Sequence, residues 1–430
     1  MILNNYLADI KSRCSDGPFL RPDYSCYNFS QLPSLIKNLF GVDTKIHPFA
    51  DLVCQSIKKR PQKIILLLID GFGYDQFLKY SNQNSLLNRL IERGVLMPLT
   101  ALFPSTTAAS ITTINSGLTP QEHGLIEWHL YLDEIDKTIE SLPFMPLAEG
   151  AIADQLAREG IDPTILFSGQ SIHDQLSQNN ISSHVLLHKA YANSAYSKVT
   201  QTGATVIPFN SFADMLVLLR QRLVAVRGQS YFYAYWDVLD HMSHTYEPHS
   251  EQYLAELNSF SHLLQTELLE KIDKETARNT LLLITADHGH IPMYPDKTIY
   301  INDIPEVVEA LVVSPAGKKI LPWGSPRDVF LRIKEEQLEN TVDILKKHLN
   351  GKAIILKSQE EANKGLFGIG NEHPQFRQRI GNILILPFVN HTVWYQYPGL
   401  DKFNKRGMHG GLTPEEMVIP LLFVNLSDLL

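Results

Sequence analysis

Three short runs of apolar residues are the most regular feature of this chain. They occupy residues 63–69, 231–236 and 280–285. Continuous apolar runs of this length are typical of strands that are buried on both faces of a parallel sheet. The pattern therefore predicts an α/β fold with a mostly parallel central sheet.

An amphipathic helix is predicted between the second and third of these strands, at residues 251–272. Its apolar positions fall on one helical face: Leu254, Leu257, Phe260, Leu264 and Leu268. A helix with one apolar stripe can pack on a sheet, and parallel strands need such a crossover connection. We expect this helix to cover the sheet.

The pattern changes after His290. Residues 329–333, a helix with Leu338, Val342, Leu345 and Leu349 on one face, and residues 353–356 predict a compact βαβ-like unit. The apolar strand at 417–424 then returns to the first pattern. We interpret residues 1–291 and 405–430 as a catalytic α/β core, and residues 292–404 as a small inserted α+β cap that controls substrate access.

Composition limits the class of protein. The chain has 430 residues, 44% of them hydrophobic and 20% charged, which is ordinary for a globular protein. Its net charge is −8 and it contains no block of Lys or Arg, so no nucleic-acid-binding patch is expected. A small-molecule substrate fits this composition better, and the sequence leaves the oligomeric state open.

The cysteines and the N-terminus bear on the cellular compartment. The three cysteines, Cys14, Cys26 and Cys54, are confined to the start of the chain and cannot form a disulfide framework for the whole fold. The first 18 residues lack the uninterrupted apolar stretch of a signal peptide, and no apolar run is long enough to be a membrane segment. We expect a cytoplasmic protein, with unconventional secretion left open.

Acidic residues follow all three apolar strands. Asp70 follows the first, Asp237 and Asp240 follow the second, and Asp287 follows the third. Ligands of open α/β sheets bind beyond the carboxyl ends of the strands, so these carboxylates are expected at one edge. A single Asp at a strand end is more often a turn or capping residue, and only the combination favours a site.

Histidines complete this set of candidate ligands. Asp287-His288 combines two metal-type ligands at the end of one strand, and His409 lies among glycines that leave it little role in a core. His123 and His290 lack such company, which favours a surface or outer-shell position. One Asp and one His from the second strand end would bring the set to three Asp and three His. Six residues supply three ligands for each of two metals, with positions left open for catalysis.

The second strand end contains an ambiguity. Asp237 with His241, and Asp240 with His244, have the same i, i+4 spacing. Either pair would share one face of a helical turn, so spacing alone does not choose between them.

The sequence FPSTTAASITTINSG at 103–117 predicts a loop, a helix N-terminus, a helix of small residues and a glycine stop. The simpler interpretation is only a capped helix. The functional one is a hydroxyl nucleophile at a helix N-terminus, where free N–H groups and the helix dipole stabilise a phosphoryl anion.

Taken together, these motifs resemble the type I phosphodiesterase/nucleotide pyrophosphatase family of the alkaline phosphatase superfamily. The likeness covers about residues 60–425 and implies an alkaline-phosphatase-like three-layer sandwich. It also implies two Zn²⁺ ions, with Mn²⁺ or another divalent metal as a substitute. The implied roles are these: one metal on Asp240, His244 and His409, the other on Asp70, Asp287 and His288, and Thr107 as the nucleophile and a ligand.

Two departures from the resemblance concern the substrate. The eukaryotic nucleotide pyrophosphatases have an aromatic residue after the nucleophile and an Asn that binds a phosphate oxygen, and the matching positions here are Ala108 and Trp128. Trp128 is therefore a weak candidate for substrate binding, and the resemblance implies a phosphodiester or nucleotide-like substrate without identifying it.

Other functions compete with this hypothesis. A phosphomonoesterase of the same superfamily would show an Arg near the nucleophile, but no Arg lies between Arg93 and Arg158. Sulfatases need a Cys or Ser in a different phrase, and phosphoglycerate mutases use a serine. A metal-binding protein without turnover would lack the nucleophile or a ligand, and none is missing. The sequence therefore favours a metal-dependent phosphodiesterase or pyrophosphatase with a covalent phospho-threonine intermediate.

Overall fold

The computed structural model describes residues 1–42, 48–57 and 59–430. Its strands are β1 (Ser15–Asp16), β2 (Phe19–Leu20), β3 (Lys63–Ile69), β4 (Val95–Thr100), β5 (His129–Leu132), β6 (Lys137–Glu140), β7 (Met145–Pro146), β8 (Ser182–His188), β9 (Ala204–Phe209), β10 (Ser230–Trp236), β11 (Thr280–Thr285), β12 (Ile291–Pro292), β13 (Ile299–Tyr300), β14 (Trp323–Ser325), β15 (Asp328–Leu331), β16 (Ala353–Leu356), β17 (Ile383–Pro387), β18 (Val393–Trp394), β19 (Gly407–Met408) and β20 (Val418–Asn425).

The α-helices are α1 (Asn4–Cys14), α2 (Leu32–Phe40), α3 (Pro48–Ser56), α4 (Tyr74–Ser81), α5 (Ser85–Arg93), α6 (Thr107–Ser116), α7 (Pro120–His123), α8 (Gln155–Arg158), α9 (Ile172–Ser177), α10 (Ala195–Thr200), α11 (Phe212–Ala225), α12 (Val238–Tyr246), α13 (Glu251–Leu263), α14 (Lys274–Arg278), α15 (Pro305–Ala310), α16 (Leu338–His348), α17 (Ser358–Asn363), α18 (Phe376–Arg379) and α19 (Pro414–Met417). A π-helical segment, Leu264–Leu269, continues α13.

Seven strands form the central sheet in the order β4-β20-β11-β3-β10-β8-β9. Strand β20 is antiparallel to both neighbours, and the remaining pairs are parallel. Every residue of β3, β10 and β11 is buried, as expected for strands that are covered on both faces. The predicted α/β class and the mostly parallel central sheet are confirmed.

The connection between β10 and β11 contains the predicted amphipathic helix. Helix α13 begins at Glu251, where Ser250 caps its N-terminus, and the π-helical segment follows it. Leu257, Phe260, Leu264 and Leu268 are buried in the main core. Since β3 lies between β10 and β11, the connection crosses one strand and packs its apolar stripe on the sheet.

A second, antiparallel sheet has the order β16-β17-β15-β14-β5-β6-β7. Alternate residues of its middle strands point to different cores. Phe330 and Leu384 join the main core, whereas Val329 and Ile383 pack with α16 in a smaller one. The period-two alternation of side chains therefore lets this sheet lie between two apolar layers.

The second sheet combines strands from residues 292–404 with strands from an earlier part of the chain. Strands β5, β6 and β7, which the sequence analysis assigned to the catalytic core, extend the second sheet through the pairing of His129 with Gly324. Short antiparallel hairpins give no sign in the sequence of which distant strand they will join. The assignment of residues 292–404 as a separate cap domain stays a prediction.

Two further observations concern the chain as a whole. Cys14, Cys26 and Cys54 are all free thiols. Among the described residues, none of the helices has the length and apolar character required to cross a bilayer.

Candidate active site

The predicted site residues come together at the carboxyl edge of the central sheet. Asp70 follows the middle strand β3, Asp287 follows β11 on one side, and α12 begins directly after β10 on the other. Helix α12 carries Asp240 and His244 one turn apart. The chain returns to this edge at His409, directly after β19.

One group of candidate ligands consists of Asp70, Asp287 and His288. His288 Nε2 lies 3.3 Å from Asp70 Oδ1 and 3.4 Å from Asp287 Oδ2. These two carboxylate oxygens are buried and accept no hydrogen bond from a described residue. Buried carboxylate oxygens without donors are costly, and a divalent cation between them would compensate for that cost.

A second group surrounds Asp240. Asp240 Oδ2 lies 3.4 Å from His244 Nε2, and Oδ1 lies 3.6 Å from His409 Nε2. Potential ligand atoms of Asp240, His288, His290 and His409 all lie within 4.8 Å of one another. The two groups are adjacent, since the rings of His288 and His409 stack with centroids 3.6 Å apart. Each of these two adjacent groups could therefore hold a metal ion.

The predicted histidine ligands share one hydrogen-bond pattern. His244 Nδ1 lies 2.7 Å from the Gly407 carbonyl, and His288 Nδ1 lies 3.0 Å from the Gly289 carbonyl. His409 Nδ1 lies 2.9 Å from the Ser105 carbonyl. A carbonyl can only accept, so each ring donates from Nδ1 and leaves the lone pair of Nε2 toward the candidate metal positions. Such contacts orient metal-binding histidines in proteins.

Electrostatics also favour cations at this position. Burial, reinforced by the negative charges of Asp287 and Asp240, raises the pKa of Asp70 well above its usual value. Burial also lowers the pKa of His244 and His409 well below the usual value, which keeps both rings neutral. Neutral imidazoles beside crowded carboxylates form a donor set of the kind that zinc prefers.

The two candidate hydroxyls differ in their surroundings. Thr106 is the N-cap of α6, and its buried side chain accepts a hydrogen bond from the Ala109 N–H. Thr107 Oγ1 instead faces the first ligand group, 3.5 Å from Asp70 Oδ2 and 3.3 Å from His288 Nε2. The helix N-terminus therefore presents Thr107, and not Thr106, to the candidate metal site.

The i, i+4 ambiguity is answered by where the side chains point. Asp237 precedes α12 and accepts a hydrogen bond from the Tyr191 hydroxyl at 3.2 Å. His241 lies one turn along and is exposed. Asp240 and His244 face His409, so the structure places this pair, and not Asp237 and His241, among the other candidate ligands.

Two residues near the ligands were missed or underrated from the sequence. His290 is buried, and its Nε2 donates to Asp240 Oδ1 at 2.6 Å. Burial excludes the surface position, and the ring lies close enough to Asp240, His288 and His409 to belong to their candidate metal group. The Tyr235 hydroxyl donates to Asp70 Oδ2. The signal in the sequence was the alternation of Tyr231, Tyr233 and Tyr235 in β10, which places three hydroxyls on one face of the strand. Tyr235 is the last of them, at the strand end that leads to the site.

The loop that follows His409 is fixed by contacts with the β14–β15 hairpin and with α19. Arg327 forms a two-pronged ion pair with Glu416, with both N–O distances 3.0 Å and both side chains fully buried. Glu416 also accepts from the Gly411 N–H at 3.1 Å. Gly410 has a φ of +120°, and a Cβ there would lie 2.6 Å from Ser325 Oγ. The loop after His409 therefore requires glycine and a close fit to the β14–β15 hairpin.

Two cavities meet at Thr107. The first, of about 440 Å³, lies on the side of His244 and His409 and includes Trp394, Phe403 and Lys405. The second, of about 360 Å³, lies on the side of Asp70 and Tyr235. Both include Trp128, the candidate substrate-binding residue, whose Nε1 donates to Glu140 Oε2 at 3.2 Å. Trp128 is thus a wall between the cavities, and its N–H is already engaged.

Comparison with known families agrees with this geometry. Residues 64–412 match the family model "Type I phosphodiesterase / nucleotide pyrophosphatase". The chain belongs to this family. The match includes both candidate ligand groups and Thr107, and it confirms the resemblance inferred from the sequence motifs.

Solved structures show the same fold in distant relatives. Murine ectonucleotide pyrophosphatase/phosphodiesterase 5, in an inactive form in complex with AMP, is 17% identical with a TM-score of 0.64, covering 84% of this chain and 88% of its own. The human protein of that name is 16% identical with a TM-score of 0.61, covering 84% and 87%. A search of curated proteins found no match.

Proposed function

We propose that this protein is a two-zinc phosphodiesterase or nucleotide pyrophosphatase that acts through a covalent phospho-threonine intermediate. The observation that carries the proposal is the position of Thr107, which lies at a helix N-terminus within 3.5 Å of candidate ligands of one metal group. Membership in the family supports the hydrolytic class of the reaction.

Each part of the site has a role in this proposal. Asp70, Asp287 and His288 would hold one zinc ion, and Asp240, His244 and His409 the other. When bound, the ions would lower the pKa of the Thr107 hydroxyl and neutralise charge on the phosphoryl oxygens. Thr107 Oγ1 then forms a bond to phosphorus while the bond from phosphorus to the leaving oxygen breaks. Water afterwards breaks the bond to Oγ1 and restores the hydroxyl.

The chain also contributes electrostatic stabilisation. The first N–H groups of α6 have no carbonyl partner within the helix, so a phosphoryl group bound to Thr107 would lie at the positive end of this helix. Tyr235 holds the Asp70 carboxylate, and the backbone carbonyls hold the histidine rings. The site is thus arranged before substrate binds, which is where most electrostatic catalysis originates.

A diester is the preferred substrate. Two cavities flank Thr107, which gives room for a group on each side of the reacting phosphorus. A nucleotide is a reasonable candidate for one of them, since the distant murine relative was solved with AMP. Ala108 leaves no aromatic side chain directly after Thr107, so another part of the cavity would have to contact a base.

Hydrolysis by metal-replete protein tests the proposal. We expect turnover of bis(p-nitrophenyl) phosphate to exceed that of p-nitrophenyl phosphate, with a phosphorylated Thr107 trapped by rapid acid quench and identified by mass spectrometry. A clear preference for the monoester would favour a phosphomonoesterase, and no turnover of either ester would favour a binding protein. Location in the cytoplasm stays a prediction, which fractionation of the native cells would test.

A further inference from the structure

A cavity of about 260 Å³ lies at the edge of the central sheet opposite to the candidate active site. Pro61 lines it just before β3, and Leu281 lines it near the start of β11. These two strands, of seven and six residues, end beside Asp70 and Asp287. Because such strands span about 20 Å, the cavity is separate from both candidate metal groups.

Three positively charged side chains line this cavity. Lys59 belongs to the segment before β3, Arg93 to the last turn of α5, and Arg278 to the last turn of α14. Asp428 is the only carboxylate in the described lining. Three cations and one carboxylate give the cavity a formal charge of +2, whereas the whole chain has a net charge of −8.

These cations have few partners. Lys59 Nζ donates one long hydrogen bond, of 3.4 Å, to the uncharged side chain of Asn279. Neither Arg93 nor Arg278 forms a side-chain hydrogen bond or an ion pair with any described residue, and Asp428 pairs with none of the three cations. Like charges repel one another, so an anion bound among them would be attracted by all three.

Both arginines also occupy positions that favour a cation for a local reason. A positive charge in the last turn of a helix is stabilised by the negative end of the helix dipole. This accounts for Arg93 and Arg278 singly, but not for two helix ends and a lysine at one cavity. Arg158 is likewise exposed in the last turn of a helix, α8, yet it lies outside this cavity and both cavities of the candidate active site.

The other walls of the cavity suit a small anion. Leu281, Phe423 and Val424 line it as buried apolar side chains, and apolar surroundings strengthen the attraction between opposite charges. A guanidinium can donate two parallel N–H groups to two oxygens of one phosphate. The volume is below the range of about 300–1,000 Å³ that is usual for drug-sized ligands, which indicates a small ligand.

We propose that this cavity binds a small phosphate-type oxyanion, with Arg93 and Arg278 as donors and Lys59 as a third positive charge. The inference goes beyond the proposed function, because this site uses neither the metals nor Thr107. Inorganic phosphate, pyrophosphate and a nucleoside monophosphate share the chemistry that it recognises. The bound anion joins the segment before β3 to the ends of α5 and α14, and so stabilises the folded protein.

Calorimetric titration of the metal-loaded protein with pyrophosphate tests this site. We expect two binding sites in the wild type, one at the metals and one in the cavity. Arg93→Gln and Arg278→Gln should each weaken the cavity site by about 10- to 100-fold, the effect of losing a hydrogen bond to a charged group. Both should keep kcat/KM for bis(p-nitrophenyl) phosphate within about twofold of wild type. Arg158→Gln is the matched control and should retain both sites.

The measurement requires no turnover, so its outcome is independent of the proposed function. Separate titrations with orthophosphate and AMP identify the source of the anion, since tighter binding of AMP assigns an organic phosphate and tighter binding of pyrophosphate an inorganic one. A single binding event that is the same in all variants would overturn the proposal.

Thermal unfolding provides a second readout. Pyrophosphate should raise Tm less in Arg93→Gln and Arg278→Gln than in the wild type and Arg158→Gln, because these variants lose one of the two binding sites. Sodium chloride at equal ionic strength controls for screening of charge. An equal rise with chloride, or an equal loss in Arg158→Gln, would show a general effect of charge and would also overturn the proposal.

Discussion

His290 donates a hydrogen bond from Nε2 to Asp240 Oδ1 across 2.6 Å, inside the ligand cluster. Burial acts to raise the pKa of Asp240, but His244 and His290 outweigh it, and the pKa lies well below its usual value. His290 differs from the three predicted histidine ligands at Nδ1, which has no partner among the described residues, whereas the Nδ1 atoms of the other three rings each lie against a backbone carbonyl. His290 can therefore either orient Asp240 or be a metal ligand itself, and substitution distinguishes the two roles.

The first prediction follows from this contact. His290→Ala should lower turnover and the affinity for the second metal by about 10- to 100-fold, the usual effect of removing a partner of a ligand. His290→Gln should lose less, because its amide can still donate to Asp240. Metal titration and steady-state kinetics measure both effects, with exposed His262→Ala as the control. Complete loss of one metal in His290→Ala would identify His290 as a ligand itself.

The second prediction compares the two i, i+4 pairs of α12. Asp240→Ala and His244→Ala should each reduce turnover by several orders of magnitude and remove one metal, because both side chains face His409. Asp237→Ala and His241→Ala should have milder effects, of at most about 10- to 100-fold. The matched spacing makes each pair the control for the other. Greater losses in the second pair would show that the assignment is shifted by three residues.

The sequence could predict the central sheet, and the edge at which the candidate ligands meet, because strong local signals specify them. The apolar runs of β3, β10 and β11 are buried on both faces, and each is followed by acidic residues. Adjacent parallel strands then necessarily bring Asp70 and Asp287 to one edge. Such features depend on short stretches of chain, so they can be recognised without knowing the tertiary structure.

The sequence could not predict contacts between distant parts of the chain. Pairing of His129 with Gly324 joins β5 to the second sheet across almost 200 positions, and no local pattern specifies such a partner. Lys405 likewise lies in an irregular segment, where sequence gives no side-chain direction. His290 was underrated for a similar reason, since only the tertiary fold brings it against Asp240.

The third prediction concerns metal removal. Purified protein should contain two zinc ions per chain, and exhaustive chelation should abolish turnover and lower Tm. Removal leaves Asp70, Asp240 and Asp287 crowded without cations, while binding of metal to the folded state stabilises it by mass action. Elemental analysis and thermal unfolding measure the two effects. Asp287→Ala should hold one ion and show a smaller change in Tm on chelation. Full activity after chelation would refute the two-metal site.

The fourth prediction concerns the support of His409. Arg327→Met leaves Glu416 buried without its partner and should lower the free energy of unfolding by about 3–5 kcal/mol. Arg327→Met combined with Glu416→Gln should lose less than the sum of the single changes, because the two residues are directly coupled. Urea denaturation measures these differences. Lys271→Met, which breaks the exposed pair with Glu267, should cost no more than about 1 kcal/mol. Equal effects at the two sites would contradict this interpretation.

The fifth prediction addresses the nucleophile. Thr107→Ala should abolish hydrolysis of bis(p-nitrophenyl) phosphate while both metals stay bound, because the other ligand side chains are unchanged and only the attacking hydroxyl is lost. Thr107→Ser, which keeps a hydroxyl, should retain measurable turnover and form a phosphorylated serine.

Thr106→Ala is the neighbouring control for this prediction. It removes the N-cap of α6 and should cost about 1 kcal/mol of stability while retaining substantial activity. Kinetics, metal analysis and thermal unfolding of the three variants separate these roles. Near-wild-type turnover in Thr107→Ala would exclude the covalent mechanism, and a greater loss in Thr106→Ala would move the nucleophile by one residue.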